Sequence, residues 1–287
     1  MTVFVSCAVW LSGYALSANR DAQSLQGYQS DLSVLREQQA TATDLPVTPA
    51  AMDSQTLTAQ PTQASAPPAA TPTPAAVPAT QAVPTLDPIL AYYQGLAKQN
   101  ADMVGWLRIE DTVVDYPVMH TPQKEEKYLH LDFDGNYSNA GLPFMDDQCD
   151  PANPTLSKIL FGHNMRSGQM FAVLHEYASK DFLKAHAAIQ MDTLQNRTTY
   201  QAVAVLPLLL VENSKPSMAC YRPLDTSVQA NVDAFNEYLE QYARILEGKI
   251  EQNDQVLVLS TCAYASDYNR LVLIARAPTE AEGRESK

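Results

Sequence analysis

From Leu45 to Asp87 the chain is almost entirely Pro, Ala, Thr and Gln, with no charge between Asp53 and Asp87 and hardly a large apolar side chain. Such a stretch cannot bury enough surface to offset the entropy of ordering it. Its prolines favour extended polyproline II conformations, which make a semi-rigid spacer of about 3.1 Å per residue. The spacer splits the 287 residues into a short N-terminal part and one stretch, residues 88–278, that can hold a core. Residues 279–287 are left as a flexible tail.

Before the spacer, Val3 to Leu16 is apolar, interrupted by Ser6, Ser12 and Gly13. It is short for a membrane span, which needs about 20 residues, and no Lys or Arg precedes it. Ala15-Leu16-Ser17-Ala18 comes close to a small-residue cleavage pattern without matching one. Three readings compete: a span cut short at its N-terminus, a cleaved signal peptide, and a buried helix. The spacer favours the first, since it would cut a buried helix off from the folded part. Residues 1–18 are therefore read as a single-pass membrane anchor. Residues 19–44 are read as a juxtamembrane segment with Leu32 and Leu35 at helical spacing.

The folded part is dominated by strands. Asp87 at a cap and Pro88 in the first turn open a helix to Asn100, with Ile89, Leu90, Tyr93 and Leu96 on one face. Strands are expected at Val104–Ile109, Thr112–Met119, Leu142–Met145, Lys158–Phe161, Ala188–Leu194, Thr199–Leu210, Gln255–Thr261 and Leu271–Ala277. Two helical insertions are expected at Gln169–Ala178 and Val228–Leu246. Eight strands with helical insertions make a mainly β fold, a barrel or a sandwich.

The net charge of −13 argues against nucleic acid as a partner, since that needs a basic patch. The four cysteines, Cys7, Cys149, Cys220 and Cys262, lack metal-binding spacing. Cys149 and Cys220 are either two free thiols, the reading preferred here, or an extracellular disulfide.

Chemistry points to Cys262, at the end of the apolar run from Val256. Arg270 opens the next run, and His163 follows the strand Ile159-Leu160-Phe161 after one glycine. A free thiol is only about 3 per cent ionised at neutral pH, and a neighbouring cation or base raises its reactivity. A thiolate attacks a carbonyl and gives an oxyanion that needs donors. Arg270 supplies a charged donor, and the backbone N–H of Ala263 is the natural second. His163 suits protonation of the leaving amine. No cofactor or metal is needed. Water would then make the enzyme a protease, and an amine would make it a transpeptidase. Taken singly, each residue has a plain alternative, a core cysteine or a surface cation. His120, His130, His175 and His186 have lesser claims, on a strand end, a loop and two helices.

Together these residues carry a family resemblance. Leu259-Ser260-Thr261-Cys262 resembles the strand end that bears the nucleophile in sortases, with Arg270 where their arginine falls. Phe161-Gly162-His163-Asn164-Met165 with Gly168-Gln169-Met170-Phe171 is similar to the corresponding stretch of class B sortases. So are Trp106-Leu107, and Tyr128-Leu129 running to Gly141-Leu142-Pro143-Phe144-Met145-Asp146. The resemblance implies an eight-stranded sortase-type β-barrel with an N-terminal helix and a long helix before the cysteine strand. It implies cleavage of an LPxTG-like C-terminal sorting signal after its Thr, through a thioester on Cys262. The acyl group then passes to a peptidoglycan cross-bridge amine or a pilin lysine, outside the membrane of a Gram-positive cell. His163, Cys262 and Arg270 take the catalytic roles, and Ser260, Thr261 and Ala263 line the signal groove. His130 stands where class B members often have Asn, and Asp267 is the one acidic residue in the loop after Cys262.

Other functions fit less well. An L,D-transpeptidase would carry His and Gly beside its thiol, and a papain-like protease would place Cys before His. The non-enzyme alternative is a membrane-tethered binding or adhesion module whose thiol has no catalytic part.

Overall fold

The computed structural model describes residues 23, 25–41, 87–209, 219–263 and 269–278. The apolar segment from Val3, residues 45–86 of the spacer, Asp267 and the tail over 279–287 lie outside the described residues. No helix among the described residues is long and apolar enough to cross a membrane.

Nine strands follow one another as β1 (Met103–Ile109), β2 (Asp115–His120), β3 (Phe144–Met145), β4 (Lys158–Phe161), β5 (Ala188–Thr193), β6 (Thr199–Leu208), β7 (Ile245–Leu246), β8 (Gln255–Cys262) and β9 (Arg270–Ala277). Their order in the sheet is β5-β1-β2-β3-β4-β8-β9-β6-β7, and β5 also pairs with β6. That last pairing closes eight strands into a barrel and removes the exposed edges. The eight strands of the closed barrel are the eight expected from the sequence, with small differences at their ends. β7 is a two-residue addition that pairs with Ala204 and Val205 of β6.

β8 is buried along nearly its whole length. Its Val256–Leu259 run is continuous, not alternating, because both faces are covered. One face looks into the barrel, and a 3₁₀ helix, η2 (Phe171–Ala178), lies against β8 and β9 outside. Pairing on both sides, with helices over the faces, calls for such unbroken apolar runs.

The helices differ more from expectation. α2 (Pro88–Gln99) begins as predicted, with the Asp87 carboxylate accepting from the Ile89 N–H. The helix expected at Val228–Leu246 runs only over Gln229–Tyr242, here α4. It ends because the next residues pair with β6: Arg244 N–H donates to Val205 O and Glu247 N–H to Val203 O. Ile245 and Leu246 continue the apolar spacing of the helix while belonging to a strand. The insertion after His163 is 3₁₀, not α, and a short helix α3 (Lys180–Ala185) follows it. A second 3₁₀ helix, η1 (Glu125–Leu129), precedes His130.

Residues 25–41 form a helix, α1, that is packed onto the barrel, not set apart from it. Leu32 is 0 % exposed, and Tyr28 and Leu35 pack against the core. Arg36 donates twice to the Asp115 carboxylate, at 2.9 and 3.0 Å. The same carboxylate accepts Trp106 Nε1–H at 2.6 Å, and Gln29 donates to the Asp115 carbonyl at 2.7 Å. Gln39 reaches Asp87 at the start of α2, joining the two helices.

Candidate active site

Three neighbouring strands end together. In the antiparallel pair of β8 and β9, Cys262 lies directly opposite Arg270. Directly opposed residues point their side chains to the same face. β4 runs parallel to β8 with Phe161 beside Ser260. Beyond the last paired residue, Gly162 N–H donates to Ser260 O at 3.2 Å, and Thr261 Oγ1–H donates to Gly162 O at 2.8 Å. Two steps on from Phe161 and Ser260, the same register carries His163 to the level of Cys262. The barrel therefore brings together the three residues that the sequence singled out.

Gly162 makes this possible. A Cβ at that position would meet the Phe171 ring at 2.6 Å, so a larger residue would push η2 away from the site. Phe171 N–H in turn donates to His163 O at 2.9 Å. The Gly-His-Asn-Met and Met-Phe stretches of the sequence are the two sides of this one contact.

His163 is half-buried, and its Nε2–H donates to Leu129 O at 2.9 Å. That leaves Nδ1 with the lone pair. Burial holds the imidazole below its usual range, the Leu129 carbonyl opposes this, and His130 adds to it. The His130 ring lies 5.5 Å from the His163 ring, centroid to centroid, and stacks at 5.9 Å on Tyr137. Burial thus favours the neutral imidazole at His163. Cys262 is partly exposed, and Arg270 Nη1 donates to Asn269 O at 2.9 Å.

The residues expected to line a groove are placed differently. Ser260 and Thr261 are buried, and their hydroxyls are engaged inside the protein. Ser260 Oγ and Tyr221 OH are 2.7 Å apart, and Thr261 bonds the Gly162 carbonyl. Both serve to tie strand ends together. Ala263 is buried too, and its N–H donates to Asn269 O at 2.9 Å. This extends the β8–β9 ladder by one bond, so the N–H is not open to an oxyanion. Of the two donors expected there, only Arg270 remains.

Three contributors escaped the sequence reading. Tyr221 stacks on Phe161 at 5.9 Å, and its phenol feels the charges of Arg270 and Cys262, although burial is the main reason its proton is held tightly. Asn164 Nδ2 donates to the Cys262 carbonyl at 2.9 Å, and His175 Nε2 lies 3.1 Å from the same oxygen. Asn164 was legible as part of a motif but not as a contact to the cysteine. Nothing local in the sequence marks Tyr221 or His175.

Cys149 and Cys220 are both buried and are not bridged to each other. Burial pushes their thiols up to about 12 and about 11. His186 Nδ1–H donates to Glu110 O at 3.1 Å, away from the site. Burial lowers His120 at the end of β2. Among the described residues, no group of three or more His, Cys, Asp or Glu side chains could hold a metal ion.

The family model of the Sortase domain matches residues 107–278. Sortase B of Listeria monocytogenes is 32% identical over 181 residues, which cover 61% of this chain and 68% of that protein. Sortase B of Staphylococcus aureus is 26% identical over 190 residues, 64% of this chain and 73% of that one. Among solved structures, the Staphylococcus aureus sortase B-substrate complex superposes with a TM-score of 0.56 at 26% identity, covering 65% of this chain and 84% of that one. The structure of sortase B from Listeria monocytogenes gives 0.52 at 28% identity, covering 64% of this chain and 99% of that one. With a closed eight-stranded barrel and a thiol paired across two strands with an arginine, the chain belongs to the sortase family, as a class B cysteine transpeptidase.

Proposed function

We propose that the enzyme cleaves an LPxTG-like C-terminal sorting signal after its threonine and transfers the new carbonyl end to a cell-wall or pilin amine. The supporting observation is the common strand end of β4, β8 and β9, which carries His163, Cys262 and Arg270. In this reading the Cys262 proton passes to Nδ1 of His163, and the thiolate attacks the threonine carbonyl. The oxyanion forms beside the Arg270 guanidinium, a charge-assisted donor that strengthens as negative charge develops. Collapse breaks the peptide bond, and His163 returns its proton to the leaving amine. The acceptor amine then attacks the thioester, its proton goes to His163, and the Cys262 thiol is regenerated. Low basicity of His163, caused first by burial, suits a group that must also release the proton.

We further infer that Val3–Leu16 anchors the chain as a single pass, with the barrel on the wall side. The Pro/Ala/Thr-rich spacer supports this, because a wall-linked acceptor lies at a distance from the membrane. Protease treatment of intact cells should cleave the barrel away from the membrane fraction.

The decisive test is intact-mass detection of a thioester on the full chain with a sorting-signal peptide. The adduct should form on wild type and be absent from Cys262→Ala, and an added amine should release it as the transpeptidation product. An alkylating reagent should label Cys262 well before Cys149 and Cys220, whose thiols are buried and hard to ionise. Cleavage by Cys262→Ala at the wild-type rate would sink the assignment.

A further inference from the structure

The peptide unit that follows the nucleophile is gripped at both ends. Its N–H, on Ala263, donates to Asn269 O at 2.9 Å. Its carbonyl, on Cys262, accepts from Asn164 Nδ2 at 2.9 Å and has His175 Nε2 at 3.1 Å. Asn164 Nδ2 and His175 Nε2 are themselves 2.9 Å apart. On the β4 side of β8, backbone pairing reaches Ser260, whose carbonyl accepts Gly162 N–H, and beyond it backbone pairing alone no longer holds the Cys262 carbonyl. Two side chains do so instead.

We propose that His175 is a positioning residue for Cys262. A carbonyl oxygen has two lone pairs. With the proton on Nε2, the imidazole donates the second hydrogen bond to that oxygen. With the proton on Nδ1, Nε2 accepts from Asn164 and orients the amide that holds the oxygen. Either tautomer ties His175 to the carbonyl of the nucleophile. Fixing this peptide fixes the backbone torsion at Cys262, and the rotamers open to a side chain depend on that torsion. Because Asn164 is the residue after His163, the same contact holds the β4 and β8 ends in step.

His175 is itself well supported. It sits on η2, whose Phe171 packs under Gly162 and whose Leu174 and Tyr177 are buried. The turn into η2 is fixed by Met170, at φ 56°, with its N–H donating to Tyr116 OH at 3.2 Å. A positioning group on a packed element keeps its geometry during turnover.

The inference rests on Cys262 being the nucleophile, so the test includes a readout that needs no sorting signal. Full-length wild type, His175→Ala and His175→Gln are compared for peptide turnover, for the rate of Cys262 alkylation by iodoacetamide, and for thermal melting. His175→Ala should lower kcat about tenfold with KM unchanged within about twofold, as expected for a misplaced reacting group. Its Cys262 should alkylate more slowly. His175→Gln keeps an amide that can donate to the carbonyl or accept from Asn164, and should recover both rates to within about threefold of wild type. Wild-type alkylation and turnover in His175→Ala, or a Gln variant as slow as Ala at equal melting temperature, would overturn the proposal. So would a raised KM at unchanged kcat, which would make His175 a substrate contact. A wild-type chain that alkylates at Cys262 without cleaving the peptide would sink the function proposed above. The alkylation rates of the two variants would still decide the role of His175.

Discussion

The seam between α1 and the barrel and the strand-end site each hold an arginine, to opposite ends. At the seam the Asp115 carboxylate meets two Arg36 donors and the Trp106 indole N–H, while Leu32 is enclosed beneath. Tyr93 stacks on Trp106 at 5.7 Å, and burial holds its phenol protonated. Donors and acceptors are matched there, and the result is rigidity. At the strand ends, among the described residues, His163 bonds one carbonyl, the Arg270 side chain donates to one backbone oxygen, and Cys262 is partly exposed. Unmatched capacity beside a reactive group is what a reaction needs, since new bonds can form only where old ones do not fill every site. A cation paired twice to a carboxylate stabilises the fold, whereas one left with a backbone carbonyl can turn to an oxyanion.

That contrast predicts a clean separation between activity and stability. The largest effect should come from Arg270→Ala, with kcat lower by about 10²–10³-fold, the cost of losing one oxyanion donor. Its melting temperature should hardly move. Lys at this position should restore only part of the rate, because an ammonium lacks the planar fork of donors. An Arg270→Ala chain that kept its rate but melted early would reverse the comparison.

Leu32→Ala should do the converse. Loss of an enclosed leucine is expected to cost about 2–3 kcal/mol in urea unfolding, at the low end for such changes because α1 can shift into the space. The folded fraction should keep the wild-type kcat. A lowered kcat in the folded fraction would make the seam part of the site after all.

The smallest effect concerns protonation. Burial chiefly, and His130 to a lesser degree, hold His163 below the usual imidazole range. The folded value therefore lies below the unfolded value of about 6.5. Between the two the unfolded chain binds more protons, so stability falls as pH drops through that window. His130→Asn removes a neighbour that opposes the charge, so the His163 midpoint should rise and the acid loss of stability should shrink. Ring-proton NMR titration of His163 reads this directly. An unmoved midpoint would leave burial as the whole cause.

Much of the fold was legible because apolar runs of strand length, bounded by polar turns, had only one way to be buried. The eight barrel strands follow those runs closely. β7 was not legible, since Ile245 and Leu246 extend the spacing of α4 and only pairing with Val205 and Val203 ends that helix. The 3₁₀ form of η2 depends on Met170 at positive φ and on Phe171 beneath Gly162. At the site, Cys262, His163 and Arg270 were readable as strand-end residues in motif order. The structure engages the Ser260 and Thr261 hydroxyls and the Ala263 N–H inside the protein, and adjacency to Cys262 in the chain does not say which groups the barrel engages.

The amino-acid sequence alone determined the strands, the family resemblance and the choice of Cys262, His163 and Arg270 as strand-end candidates, because these rest on local pattern and on side-chain chemistry. Only the tertiary structure decided which hydrogen bonds were already filled. It turned the Ala263 N–H into a ladder bond, the Ser260 and Thr261 hydroxyls into ties, and His175 into a neighbour of the Cys262 carbonyl. It also folded residues 25–41 onto the barrel through Asp115, 79 positions from Arg36 in the chain. Partners so far apart in the chain meet only when the barrel closes, and no local pattern encodes that meeting.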